Sequence, residues 1–142
     1  MTTVMDKHIG LSLFHISVVA PFFLYVGFIR GQLMPWIFTV LQIMGILLLT
    51  FHGYRTLVKW KAHSLTVWVN IFHVVLIAPL LLYIGCMGYD TPRWAYEILI
   101  MLGFAAIGYH LYSIVVNIQE MSFYHAAAET KKKSEETVLA AN

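Results

Sequence analysis

Charge is scarce in this chain. Of its 142 residues only 11% are Asp, Glu, Lys or Arg, while 60% are hydrophobic. A soluble domain would carry about a quarter charged residues, so an ordinary soluble fold is excluded. The formal net charge of +2 is too small to mark a nucleic-acid binder. Cysteine is almost missing too: Cys86 stands alone, which excludes an internal disulfide framework and a cysteine-based metal site. Acids are nearly absent from the apolar stretches, where Glu97 at one end is the exception. No paired carboxylates, nucleophile–base pair or phosphate loop can be read from the chain. Lysines able to form a Schiff base inside an apolar stretch are lacking as well, because Lys59 and Lys61 fall at a boundary. The common catalytic classes therefore have no foothold, and the chain is not expected to be an enzyme.

Long apolar runs take the place of charge. Four stretches are long enough to cross about 30 Å of hydrocarbon at about 1.5 Å rise per residue: Ile9–Ile29, Trp36–Leu57, Leu65–Cys86 and Trp94–Val116. The first does not read as a cleaved signal peptide, because its apolar core is too long and Arg30 and Gly31 follow it in place of a small-residue cleavage pattern. Lys7, Arg55, Lys59, Lys61 and Lys131–Lys133 fall on one side of the four spans, and only Arg30 and Arg93 on the other. The positive-inside rule then places both termini and the loop between the second and third spans in the cytoplasm. Trp36 and Trp94 mark the outer interface and Trp60 the inner one. From about Met121 the chain turns polar and reads as a helix extension fraying into a flexible tail.

One offset of 58 residues, without gaps, lays the second half of the chain on the first. It matches Phe14 to Phe72, His15 to His73, Ala20 to Ala78, Pro21 to Pro79, Tyr25 to Tyr83 and Gly27 to Gly85. It also matches Trp36 to Trp94, Leu41 to Leu99, Gly45 to Gly103, His52 to His110 and Tyr54 to Tyr112. Apolar matches come cheaply between membrane helices; shared His, Pro, Trp and Gly in one register do not. Each copy holds two spans, so the copies enter the membrane in the same orientation and form a parallel repeat. The predicted fold is all-α: a polytopic membrane four-helix bundle of two helix hairpins, with short outer loops at Arg30–Met34 and Met87–Pro92. The expected organisation is a cytoplasmic N-terminus over 1–7, hairpins over 8–60 and 61–120, and the tail over 121–142.

Pro21 and Pro79 fall mid-span, where each removes a backbone hydrogen bond. They are expected to kink their helices and free the carbonyls of Ser17 and Val75. Gly45 and Gly103 read as close-packing positions between helices. Tyr25 and Tyr83 read as interfacial rings without chemistry.

Histidine inside a span is uncommon and tends to face the bundle interior. Counting from the outer loops, His15 lies 15 residues before Arg30 and His52 lies 17 after Pro35. His73 lies 15 before Gly88 and His110 lies 16 after Trp94. All four are expected in one layer, roughly 7–10 Å inside the cytoplasmic boundary. Ser12 and Asn70 stand three residues before His15 and His73 on the same helix face, placed to fix a tautomer by hydrogen bonding. His8 and Thr56 would extend a polar stripe toward the cytoplasm.

Three ligand readings follow. Haem b needs two imidazoles across an iron; His15 with His73, or His52 with His110, would span the bundle diagonal, with backbones near 13 Å apart (about 2 Å Fe–N bonds, helices 8–10 Å apart). A transition metal suits imidazole, and all four histidines would close a tetrahedral site. A proton or ion pathway would use histidine's titration near neutral pH, although the outer half has only Gln42, Thr39 and the tyrosines to wet it. The plain alternative is a structural or accessory membrane protein whose histidines only hold helices together, with the lipid bilayer, membrane proteins or further copies of itself as partners and no nucleic acid.

The segments HISVVAPFFLYVG and HVVLIAPLLLYIG, with the endings FHGY and YHLY, resemble short four-span membrane proteins of large DNA viruses of algae and protists. The resemblance covers roughly residues 13–116. It implies an internal virion membrane or a host membrane as the location, and it implies no catalytic residue.

Overall fold

A computed structural model describes residues 2–140. Helix α1 (Thr2–Phe14) passes into a π-helical turn, His15–Val19, and then into α2 (Ala20–Ile29). A 3-10 turn at Arg30–Gln32 leads to α3 (Pro35–Lys61). The second half repeats the order: α4 (Val67–Phe72), a π-turn at His73–Ile77, α5 (Ala78–Met87), a 3-10 turn at Gly88–Asp90, and α6 (Arg93–Ala140). The π-turns and the 3-10 turns each recur at the 58-residue offset.

Among the described residues four helical stretches are long and apolar enough to cross a membrane: His8–Gln32, Pro35–Lys61, Val67–Asp90 and Arg93–Ser134. Their surfaces suit lipid. Phe28, Leu47, Phe51, Val75, Met101 and Phe104 are all exposed, a density of bare apolar side chains that water would not tolerate. The protein is an all-α integral membrane protein of the four-helix bundle type.

The chain divides into two compact units, one made of the described residues up to Ala20 with those from Ala105 on, the other of Pro21–Phe104. The second unit holds most of the core: Phe23, Val26, Ile37, Phe38 and Leu41 are buried, and so are their repeat mates Leu81, Ile84, Ala95, Tyr96 and Leu99. Glycine lets its helices approach. A methyl group on Gly27 would collide with the Ile100 side chain and meet the Tyr96 carbonyl at 3.1 Å. A methyl on its mate Gly85 would meet the Phe38 carbonyl at 2.8 Å and the Gln42 nitrogen at 2.9 Å. Because Tyr96 and Ile100 are the repeat mates of Phe38 and Gln42, one contact is made twice, each time between the first span of one hairpin and the second span of the other. Gly45 does the packing expected of it, against Leu82 and the Ala78 carbonyl.

At the mid-span prolines the backbone widens into π-turns: the Ala20 N–H donates to the His15 carbonyl, and the Ala78 N–H to the His73 carbonyl. A wider turn draws the carbonyl of residue i−4 away from the proline ring, which relieves the clash that a regular helix would impose. The segment from Met121 continues the helix through Ala140. Its Ala, Glu and Lys content favours helix, and Lys132 reaches Glu136 one turn on at 3.8 Å.

Candidate functional site: two stacked histidine pairs

Each π-turn begins at a histidine. A histidine in a helix leans back toward the preceding turn, and here the ring uses that lean. His15 Nδ1 lies 2.8 Å from the Leu11 carbonyl and His73 Nδ1 lies 2.6 Å from the Val69 carbonyl, both four residues earlier. A carbonyl oxygen only accepts, so Nδ1 carries the hydrogen in both rings and, in the neutral imidazole, Nε2 carries the lone pair.

The other two histidines meet these rings face to face. In the first unit His15 and His110 stack with centroids 4.4 Å apart and planes 26° apart. In the second unit His52 and His73 stack at 4.1 Å and 10°. Ser12 and Asn70 anchor the second ring of each stack. His110 Nδ1 lies 3.2 Å from the Ser12 hydroxyl, and His52 Nδ1 lies 3.1 Å from Asn70 Oδ1. Ser12 and Asn70 are buried, with 3% and 5% of their surface exposed, so each polar group is committed to its histidine. Both Nδ1 atoms of a stack are thus tied to two adjacent residues, Leu11 and Ser12 in one, Val69 and Asn70 in the other. The Nε2 edges of the two rings consequently turn away from that dipeptide together.

An aromatic ring precedes each of these four span histidines and stands edge-on to it: Phe14, Phe51, Phe72 and Tyr109, with interplanar angles of 80–88°. These four rings are themselves exposed, and they screen the imidazoles from lipid.

All four histidines named from the sequence are half-buried, and the structure brings them together in twos. The ring contacts join His15 to His110 and His52 to His73, and not His15 to His73 or His52 to His110 as common depth alone predicts. Among the described residues no three His, Cys, Asp or Glu side chains gather as a metal cage would. Ser12 and Asn70 meet the histidine ring of the neighbouring helix and not that of their own, which the i−4 carbonyl already engages. His8 is exposed, and Thr56 turns its hydroxyl to the His52 carbonyl at 2.7 Å, so the polar stripe expected toward the cytoplasm is not built from these two. The anchoring carbonyls of Leu11 and Val69 were missed. Their signal was available: an apolar residue four before each span histidine on odd helices, 58 residues apart.

Comparisons with protein-family models, with curated proteins and with solved structures find no match for this chain.

Proposed function

We propose that the protein binds transition-metal ions within the membrane at each histidine stack, through the Nε2 atoms of His15 and His110 in one unit and of His52 and His73 in the other. The observation that carries this reading is the shared anchoring of both Nδ1 atoms in each stack. A histidine that ligates a metal almost always gives its other ring nitrogen to a carbonyl or polar side chain, which sets tautomer and orientation. Here that arrangement occurs at both stacks and turns two donor edges the same way. Imidazole suits zinc, copper, iron and nickel. Haem needs only two protein ligands, which also fits a pair, but its two Nε2 atoms must face each other across the iron. Rings stacked at 4.1 Å and 10° would have to swing apart to do so, whereas an ion at the shared edge asks for less movement. An ion pathway draws no support from the close-packed apolar core of the second unit.

Protein purified in mild detergent should carry a transition metal by elemental analysis and show no Soret band. His52→Ala with His110→Ala removes one ring from each stack and should abolish the metal. A ligand that binds only the folded state stabilises it by about 2.7 kcal/mol at 100 times its dissociation constant, so chelation should lower the melting temperature. Tyr25→Phe with Tyr83→Phe should leave metal content unchanged. A Soret band would move the reading to haem b. Protein that contains neither, and whose melting is indifferent to chelator, would leave the stacks as structure only.

That second reading has its own support in the stacking itself. Ser12–His110 and Asn70–His52 join side chains of different helices, and such contacts contribute about 0.6 kcal/mol each in membranes. On this reading the protein is an accessory component of a cellular or virion membrane, as the viral resemblance of the repeat motifs implies.

A further inference from the structure

The loop between the second and third spans holds a cavity of about 350 Å³ lined by Lys59, Trp60, His63, Ser64 and Val67. Helix α3 ends there in a Schellman motif. The His63 N–H donates to the Trp60 carbonyl at 3.1 Å, and the Ser64 N–H to the Lys59 carbonyl at 3.0 Å. The motif needs a left-handed residue, usually glycine, and His63 fills it with φ 49°. A side chain kept where glycine would be easier is a reason to ask what that side chain does.

We propose that this cavity binds the phosphate of an anionic phospholipid headgroup. Lys59 is held in place for it. Its Nζ donates to Thr66 Oγ1 at 2.9 Å and lies 3.5 Å from the Thr66 carbonyl, and an ammonium has three N–H donors, which leaves one for an anion. The Ser64 hydroxyl, 3.1 Å from Thr66 Oγ1, and the His63 imidazole line the same space and offer further hydrogen bonds. Arg55, one turn before Lys59 on the same face, adds positive charge nearby. A lipid fits better than a free anion because the surroundings are apolar and bare: Trp60 is 66% exposed, Leu65 93% and Trp68 57%. Tryptophan at a span end sits at headgroup level, and Leu65 projects from the loop, where acyl chain can cover it. Basic residues near an anionic leaflet are drawn to it by charge alone. The cavity adds a defined place to that diffuse attraction.

The test compares melting temperatures in nanodiscs of phosphatidylcholine with those in discs that also contain phosphatidylglycerol, alongside native mass spectrometry of retained lipid. The wild type should melt higher with phosphatidylglycerol and retain it in preference. Lys59→Ala should reduce that preference about tenfold, equivalent to about 1.4 kcal/mol. Lys61→Ala, whose residue is outside the cavity lining, should change it little. His63→Gly relieves the left-handed strain, so it should melt no lower than wild type in phosphatidylcholine while losing part of the phosphatidylglycerol shift. Equal losses from Lys59→Ala and Lys61→Ala would reveal a diffuse basic patch and overturn the proposal. A full shift retained by His63→Gly would overturn the role of the cavity. Inorganic phosphate that raises the melting temperature in pure phosphatidylcholine would overturn the lipid as occupant.

Discussion

Arg30 and Gly88 stand at equivalent places in the two hairpins, 58 residues apart, and both open a 3-10 turn with positive φ, 47° and 58°. Gly88 has ψ −126°, a region that suits glycine and strains any residue with a Cβ. Open space surrounds the place where a Gly88 methyl would sit, with nothing within 4 Å, so a substitution there reports backbone strain alone. Gly88→Ala should destabilise the protein by about 1–3 kcal/mol. Arg30→Gly should act in the opposite direction, by up to about 1 kcal/mol, because the only side-chain bond lost is a long one of 3.4 Å to the Gly27 carbonyl. Thermal unfolding in one detergent checks both; a fall in stability for Arg30→Gly would show that the arginine side chain outweighs its backbone strain. The members of the two stacks and their polar neighbours were legible in the sequence at this scale. His15, His52, His73, His110, Ser12 and Asn70 were all marked by polarity inside apolar runs. Which ring meets which was not legible. Counting residues along a helix gives depth, while pairing depends on the rotation of each helix about its axis, and that is fixed by contacts such as those of Gly27 and Gly85.

Helix pairing rests on those close approaches. A methyl on Gly85 would come within 2.9 Å of two backbone atoms of α3, the Phe38 carbonyl and the Gln42 nitrogen, and backbone cannot swing aside as a side chain can. The Gln42 side chain also donates to the Gly85 carbonyl at 2.9 Å, so parting the helices would cost a half-buried hydrogen bond as well. Gly85→Ala should therefore destabilise by about 1–3 kcal/mol. Gly53→Ala, in the same α3 but with nothing within 4 Å, should be neutral or stabilising by up to about 1 kcal/mol, since alanine favours helix. Similar losses for both would mean that glycine matters here for something other than helix approach. Span number and loop positions were legible, because hydropathy and the proline and tryptophan positions mark them directly. The π-turns were not. A proline announces that the ladder of hydrogen bonds must give way, yet whether it bends or widens is settled by what the neighbouring residues can satisfy, here the histidine carbonyls.

Across the whole molecule, seven of the nine basic residues fall on the side of the Ala62–Thr66 loop and two, Arg30 and Arg93, on the other. Arg93 is further neutralised by its ion pair with Glu97, which leaves the outer side with little charge of its own. Because four spans are an even number, both ends of the chain share a side with the Ala62–Thr66 loop. Short loops obey the positive-inside rule well, and both outer turns are short, a 3-10 turn and two or three residues more. The expected topology therefore has Gly31 outside and His63 in the cytoplasm. Single cysteines can read this directly once the native thiol is removed by Cys86→Ser. Gly31→Cys is suited to the outer probe, since Gly31 is exposed and has nothing within 4 Å of an added Cβ. It should react with a membrane-impermeant maleimide on intact cells. The inner probe, His63→Cys, should react only after permeabilisation. The two positions lie in separate short turns joined by the single span Pro35–Lys61, so their labelling must be opposite in any correctly threaded chain. A reversed pattern would place the basic loop outside and would remove the cytoplasmic leaflet as the source of the lipid proposed for it. Equal labelling of both sites on intact cells would show that α3 does not cross the membrane, and the four-span architecture itself would fail.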